Sequence, residues 1–193
     1  MKFQATAVLA FAFLFSAVAS PSRVFADQAV ADPTAEIDVF GEGKLLVPAG
    51  FKKSEAQSRI IEHEFSATAG GGEGEDAPTA RVTMMRAGGG VEANIDRWKG
   101  QFGGSDKKVE ETEVTESGKL TVHTVKVTGE YTETMGGGPF SGGKKVKRPD
   151  YAMLGSILVD SKGRQYFVKM IGPAGVIEAN EAAFKKMVNS AGK

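Results

Sequence analysis

The segment whose spacing comes closest to a chemical motif is Gly138-Pro139-Phe140-Ser141-Gly142-Gly143-Lys144-Lys145. It follows the glycine-rich phosphate loop as far as Gly143-Lys144. Lys145 then stands where a serine or threonine hydroxyl would hold magnesium. A phosphate loop must also open into a helix whose free amides cradle the anion, whereas here Pro149 and a strand-like run follow. For nucleotide binding the motif is a decoy. A simpler chemistry survives: Lys144, Lys145, Lys147 and Arg148 put four cations within five residues, and no acid occurs from Thr134 to Pro149. Cations beside glycine-rich backbone amides can hold an anionic surface or ligand. These four are the candidate anion- or partner-binding residues, with a polyanion such as an acidic glycan or phosphate polymer as the ligand class. The competing reading is a solvated loop kept soluble by its charge.

Other reactive types are sparse. The two histidines, His63 and His123, fall short of the three protein ligands that a catalytic zinc usually takes. By strand alternation His63 shares a face with Ile61 and Phe65 while Glu62 and Glu64 point away, and His123 shares a face with Val125 and Val127. Both read as core histidines. No serine sits in a GxSxG elbow and no HExxH occurs, so hydrolase chemistry has no positive support. The acid pair Glu110-Glu111 reads as surface. Trp98 and Phe102 could form an exposed platform, but their helical spacing from Val91 and Ile95 makes them core anchors. The expectation is a protein without catalytic residues, metal or cofactor.

Composition narrows the classes further. The 193 residues carry 24 basic and 24 acidic side chains, too balanced for the basic footprint of a nucleic-acid binder. Without cysteine there is no disulfide framework and no thiolate chemistry. Hydrophobic residues at 41% and charged residues at 25% suit a folded domain. At the start, Met1-Lys2 and the charge-free apolar run Ala5 to Ala19 read as a signal peptide, too short for a hydrocarbon core that needs roughly 20 residues. Small residues fit cleavage after Ala19 or after Ala26, and Pro21 just beyond the first site favours the second. An exported protein, periplasmic or extracellular, follows, with no stable membrane insertion after cleavage. Neutrality also hides an asymmetry: residues 27–76 hold 4 bases and 11 acids, and residues 77–193 hold 18 bases and 13 acids.

The elements that must position these residues follow from periodicity. Residues 27–43 are acidic and weakly patterned, and read as a flexible leader before a single domain at 44–191. Short strands are expected at 44–47 and 51–54, then half-buried strands at 58–67 and 79–87 around an acidic glycine loop. Val91, Ile95, Trp98 and Phe102 form one apolar stripe, predicting a helix over 91–102 ended by Gly103-Gly104. Strands at 109–117 and 119–132 meet at Ser117-Gly118. A second glycine loop, 135–150, carries the four cations. Two strands apolar on both faces, 151–159 and 164–171, belong at the centre of a covered sheet. Pro173 opens a closing helix whose core face is Ile177, Phe184, Met187 and Val188. The sum is an α+β domain with about seven or eight mostly antiparallel strands and two main helices.

Two of these segments carry a resemblance. GlyGlyGlyValGluAlaAsnIleAspArgTrpLysGlyGlnPhe at 88–102 resembles the helical segment of exported bacterial proteins of unknown function. TyrAlaMetLeuGlySerIleLeuValAspSerLysGlyArgGlnTyrPheValLysMetIleGlyPro at 151–173, followed by an amphipathic helix, resembles their C-terminal half. The resemblance covers roughly residues 44–190 and implies the PsbP-like (Mog/PsbP) fold, an α/β/α sandwich around an antiparallel sheet. Photosystem II extrinsic subunits and the Ran-binding Mog protein share that fold. It implies a non-enzymatic binding or assembly role with a protein or envelope-associated partner. No metal- or partner-binding residue of PsbP has a counterpart in this sequence, so none is carried over.

Overall fold

The computed structural model describes residues 33–71, 77–135 and 143–192. The signal peptide expected at 1–26, the start of the leader, the acidic stretch 72–76 and the glycine segment 136–142 lie outside the described residues. The element order is β1 (Ala35–Val39), β2 (Gly43–Val47), β3 (Phe51–Ser54), β4 (His63–Thr68), β5 (Thr79–Ala87), α1 (Val91–Lys99), β6 (Phe102–Val109), β7 (Glu113–Ser117), β8 (Leu120–Met135), β9 (Lys144–Asp160), β10 (Gln165–Pro173) and α2 (Ala174–Val188). The chain is α+β. Its main sheet runs β3-β4-β5-β10-β9-β8-β6, with β7 pairing farther along β8, and every pairing is antiparallel.

Strand alternation divides this sheet into two packed faces. Along β10, Tyr166, Val168 and Met170 are buried with Ile177, Phe184 and Met187 of α2. Phe167, between them, is buried instead with Ile95 and Trp98 of α1. The helices therefore cover opposite faces, and the doubly apolar strands β9 and β10 lie between them. The β1–β2 hairpin joins the α2 side, where Ile37, Val39, Leu45 and Val47 enter the same cluster. It is pinned there by the Leu46 amide, which donates to Ser190 Oγ at 2.9 Å, just beyond α2. Among the described residues no helix is long and apolar enough to cross a membrane.

Several expectations need correction. The end of the expected leader is strand β1: Ile37 and Val39 face the core while Glu36 and Asp38 face water, a period of two masked by the acid content. Phe102 is not the last turn of α1 but the first residue of β6. The helix ends at Gly100, yet the Phe102 ring still reaches the α1 cluster. β6 itself was not expected, because Gly103-Gly104 and the polar run after it carry no apolar alternation. Its order comes from pairing with β8. β4 begins at His63 rather than Ser58, and Glu64, expected on a solvent face, is buried. Lys144 to Asp150, expected in a loop, continue β9 as strand.

Candidate functional site

The four predicted cations stand on a two-stranded arm. Beyond Tyr151, β9 has lost β10 and pairs only with the end of β8, Lys147 opposite Thr132 and Lys144 opposite Met135. The arm leaves the sheet at an irregularity in the β8–β9 register between Gly129 and Tyr131. Gly129 there has φ +141°, and a Cβ on it would stand 2.7 Å from the Gly103 carbonyl oxygen, so only glycine lets β6 approach. Alternation puts Lys145 and Lys147 on one face of the arm, and Lys144 and Arg148 on the other. Two of the four are neutralised: Lys147 pairs with Glu130 at 2.7 Å and Arg148 with Glu133 at 3.0 Å. Lys144 and Lys145 are exposed and form no ion pair among the described residues. The structure therefore splits the expected cluster of four into an exposed pair and two cross-strand salt bridges.

The histidines do not meet. His63 on β4 and His123 on β8 are four strand spacings apart in the sheet, about 19 Å. His63 lies toward the α2 side with Phe65, and His123 toward the α1 side with Val125 and Val127. Burial lowers the His63 pKa, favouring its neutral form. Trp98 and Phe102 are both buried, Trp98 through the helical stripe and Phe102 as the first residue of β6.

A different set of residues converges on the α1 face. α1 is nine residues long, about 13 Å, against fifteen residues in α2. The helix packs over Met153 and Ile157 of β9, Val125 and Val127 of β8 and Phe167 of β10. On this face, among the described residues, no helix lies above the strip along β4, β5 and the outer part of β10. A cleft of about 130 Å³ opens there. Its floor is two neighbouring stripes, Arg81, Thr83 and Met85 of β5 beside Phe167 and Lys169 of β10. Trp98 forms one wall and the loop residues Ile60 and Ile61 the other, with Ile60 70% exposed at the mouth.

Local sequence explains this arrangement. Trp98 can lie on the sheet because Gly155 stands opposite Lys169, where a Cβ would come within 2.7 Å of the indole ring. The indole then meets Phe167 edge to face, with centroids 5.3 Å apart. On the other side, Arg81 grips the buried Glu64 carboxylate with two hydrogen bonds of 2.7 and 2.8 Å, and the Gln57 amide adds a third at 3.2 Å. The Arg81 hydrogen bonds hold the Glu64 carboxyl below its ordinary range despite burial.

Lys169 has no such partner. It is half-buried, and among the described residues it forms no ion pair. Burial, followed by the charges of Arg81 and Arg97, pushes its pKa down to about 8. Arg97, on α1, is itself bound only to a neutral group, the Asn94 carbonyl oxygen at 2.7 Å. Arg81, Arg97 and Lys169 thus act on one another here, and among the described residues the two carboxylates acting on Arg81 are already engaged, Glu64 by Arg81 itself and Glu133 by Arg148. The site can stabilise negative charge beside an apolar wall.

A larger, more open hollow of about 460 Å³ lies by Asp38, Phe40, Arg86, Arg164 and Gln165. Its cations are already answered: Arg164 lies over the Phe40 ring at 4.5 Å and pairs with Asp160 and Glu42, and Arg86 pairs with Glu62 at 3.8 Å. Volume alone favours this hollow, but unpaired charge favours the cleft, and for recognition of an ion the charge decides.

Sequence reasoning missed the cleft. One signal was available: Lys169 is a lone charge inside an otherwise apolar central strand, a position where burial without a partner is costly. No protein-family model matches the chain, and a search of the curated proteins finds no match.

Proposed function

We propose that the chain is an exported, non-enzymatic binding or accessory protein of PsbP-like fold, and that its ligand is a small anion with an apolar body held in the cleft. The observation that carries this reading is the half-buried Lys169 ammonium, which faces no free carboxylate among the described residues. A protein that leaves a desolvated cation unpaired loses stability unless something else supplies the charge. A bound carboxylate or phosphate supplies it, and Trp98, Phe167, Met85 and Ile60 receive the apolar part. The layered α/β/α order and the two sequence segments support the PsbP-like assignment.

Calorimetric titration of the mature chain with short carboxylates and inorganic phosphate tests the reading. Binding that weakens with salt, and falls by about tenfold or more in Lys169→Met, is expected from loss of a charge-assisted hydrogen bond. Absence of binding, or binding indifferent to that substitution, overturns it. N-terminal sequencing of secreted protein tests export, with Asp27 expected as the first residue.

A second reading rests on the arm. Lys144 and Lys145 are exposed without ion pairs among the described residues, and they adjoin an acid-free stretch of sequence. Retention on a polyanion matrix should drop in the Lys144→Ala/Lys145→Ala double variant and change little in Lys147→Ala, whose charge Glu130 already balances. Equal losses from both would remove the arm's free tip as the reason.

A further inference from the structure

We propose that Lys169 captures the carbonyl carbon of a short oxo acid as a reversible imine, with the substrate carboxylate held beside the Arg81 guanidinium. The inference rests on the anion-binding reading of the cleft and deepens it by naming the ligand class. Three features of the geometry point to it. Lys169 is on the cleft floor between an aromatic wall and the Arg81 guanidinium, so a bound anion lies within reach of both an amine and a cation. The charges acting on the amine are Arg81 from β5 and Arg97 from α1, and the carboxylates acting on Arg81, Glu64 of β4 and Glu133 of β8, are engaged by Arg81 and by Arg148. Among the described residues no carboxylate pairs with the amine. The cleft, at about 130 Å³, suits a molecule of a few heavy atoms.

Amines become nucleophiles when an apolar setting and neighbouring cations weaken their hold on the proton. With its pKa pushed down to about 8, about a quarter of Lys169 is free amine at pH 7.5. For an ordinary lysine the share is about one in a thousand. The neutral Nζ lone pair forms a bond to the carbonyl carbon, and the carbonyl oxygen takes up a proton from the nitrogen to give a carbinolamine. That hydroxyl, protonated by solvent, leaves as water while nitrogen forms the C=N bond, and the nitrogen's remaining proton returns to solvent. The amine and carbonyl thus yield an imine and one water, with no oxidant or reductant. Hydrolysis reverses the step, so the chemistry serves capture and release.

The test incubates the mature chain with glyoxylate and cyanoborohydride at pH 7.5 and maps the products by peptide mass. Cyanoborohydride delivers hydride to the imine carbon and fixes the adduct as a carboxymethyl amine. The expected result is one carboxymethyl group on Lys169, forming about tenfold or more faster than on exposed lysines such as Lys52 and Lys144. Lys169→Arg, which keeps the charge, should abolish the fast product. Arg97→Gln, on an exposed helix position, should slow it without unfolding the chain. Glycolate, which has the carboxylate but no carbonyl, is titrated in parallel. If glycolate binds through Lys169 while glyoxylate labels all lysines alike, imine capture is overturned and the anion cleft stands. If glycolate does not bind and labelling is also uniform, both fall.

Discussion

The two faces of the main sheet are finished to different degrees. On one, the fifteen-residue α2 and the β1–β2 hairpin together cover the sheet and bury Phe51, Phe65, Phe184 and Tyr166 among aliphatic neighbours. Charges bordering that side answer one another. Lys126 meets Glu181 at 2.7 Å and Glu110 at 3.4 Å, and Lys185 meets Glu113 at 3.0 Å and Glu181 at 3.3 Å. Even the turn after α2 is fastened to β7, since Ser117 Oγ donates to the Asn189 carbonyl at 2.8 Å. On the opposite face α1 is shorter and packs over β8, β9 and Phe167, and the strip beside it holds Glu64, Arg81 and Lys169. The same sheet thus supplies stability on one side and an incompletely neutralised surface on the other.

This division can be tested by substitution on each side. Phe184→Ala on the α2 face should cost about 4 kcal/mol, because a fully buried ring leaves a cavity, and should leave anion binding intact in whatever fraction remains folded. A comparable loss of affinity in the folded fraction would mean the two faces are coupled. Glu64→Gln should cost about 2 kcal/mol by stranding Arg81 in a partly buried site, yet raise affinity for carboxylates by freeing that cation. Its pH signature is specific: the Glu64 pKa is lowered by folding, so the pair's contribution is present above the ordinary glutamate range and disappears as pH falls through the depressed value. Thermal melts between pH 3 and 7 should therefore converge for the wild type and the variant at the acid end.

Lys169→Met should stabilise the chain on the order of 1–2 kcal/mol at pH 7 while abolishing anion binding. The folded pKa of about 8 lies below the unfolded value near 10.5. Between these values the unfolded chain holds a proton that the folded chain has released, so wild-type stability rises with pH there and the variant's advantage shrinks. Denaturant midpoints at pH 7 and pH 10 measure it, and an advantage that stays constant would mean the charge is not the cause. Lys147→Ala in the arm should move stability by less than about 0.5 kcal/mol, since its salt bridge is solvated. A larger change would give the arm a structural role that its position outside both layers does not suggest.

Much of the scaffold was legible because periodicity is a local property. The stripe Val91, Ile95, Trp98 identified α1, the alternation from Thr79 to Ala87 gave β5 its bounds, and Ile177, Phe184, Met187 and Val188 marked the buried side of α2. Elements whose order comes from a partner were not legible. β6 has glycines and lysines where a strand signal would stand, and β1 hides two core residues among acids. The site was illegible for the same reason. Glu64, Arg81, Arg97 and Lys169 lie on four elements spread over more than a hundred residues, and nothing in their separate neighbourhoods says that sheet order brings β4, β5 and β10 together beside α1. The basic run at 144–148 was conspicuous because its charges are contiguous. Contiguity in sequence does not secure a common surface once the segment is a strand.

The placement of Trp98 gives the molecule a built-in optical probe. It is the only tryptophan in the sequence, its ring forms the wall beside Lys169, and Gly155 fixes it against the sheet. Excitation at the red edge, where tyrosine does not absorb, therefore reports from the α1 layer alone. Tyrosine absorbance is less selective, because Tyr166 lies in the α2 layer while Tyr131 and Tyr151 pack on the same side as Trp98. An anion entering the cleft alters the field at the indole directly, and its arrival can be read without a label.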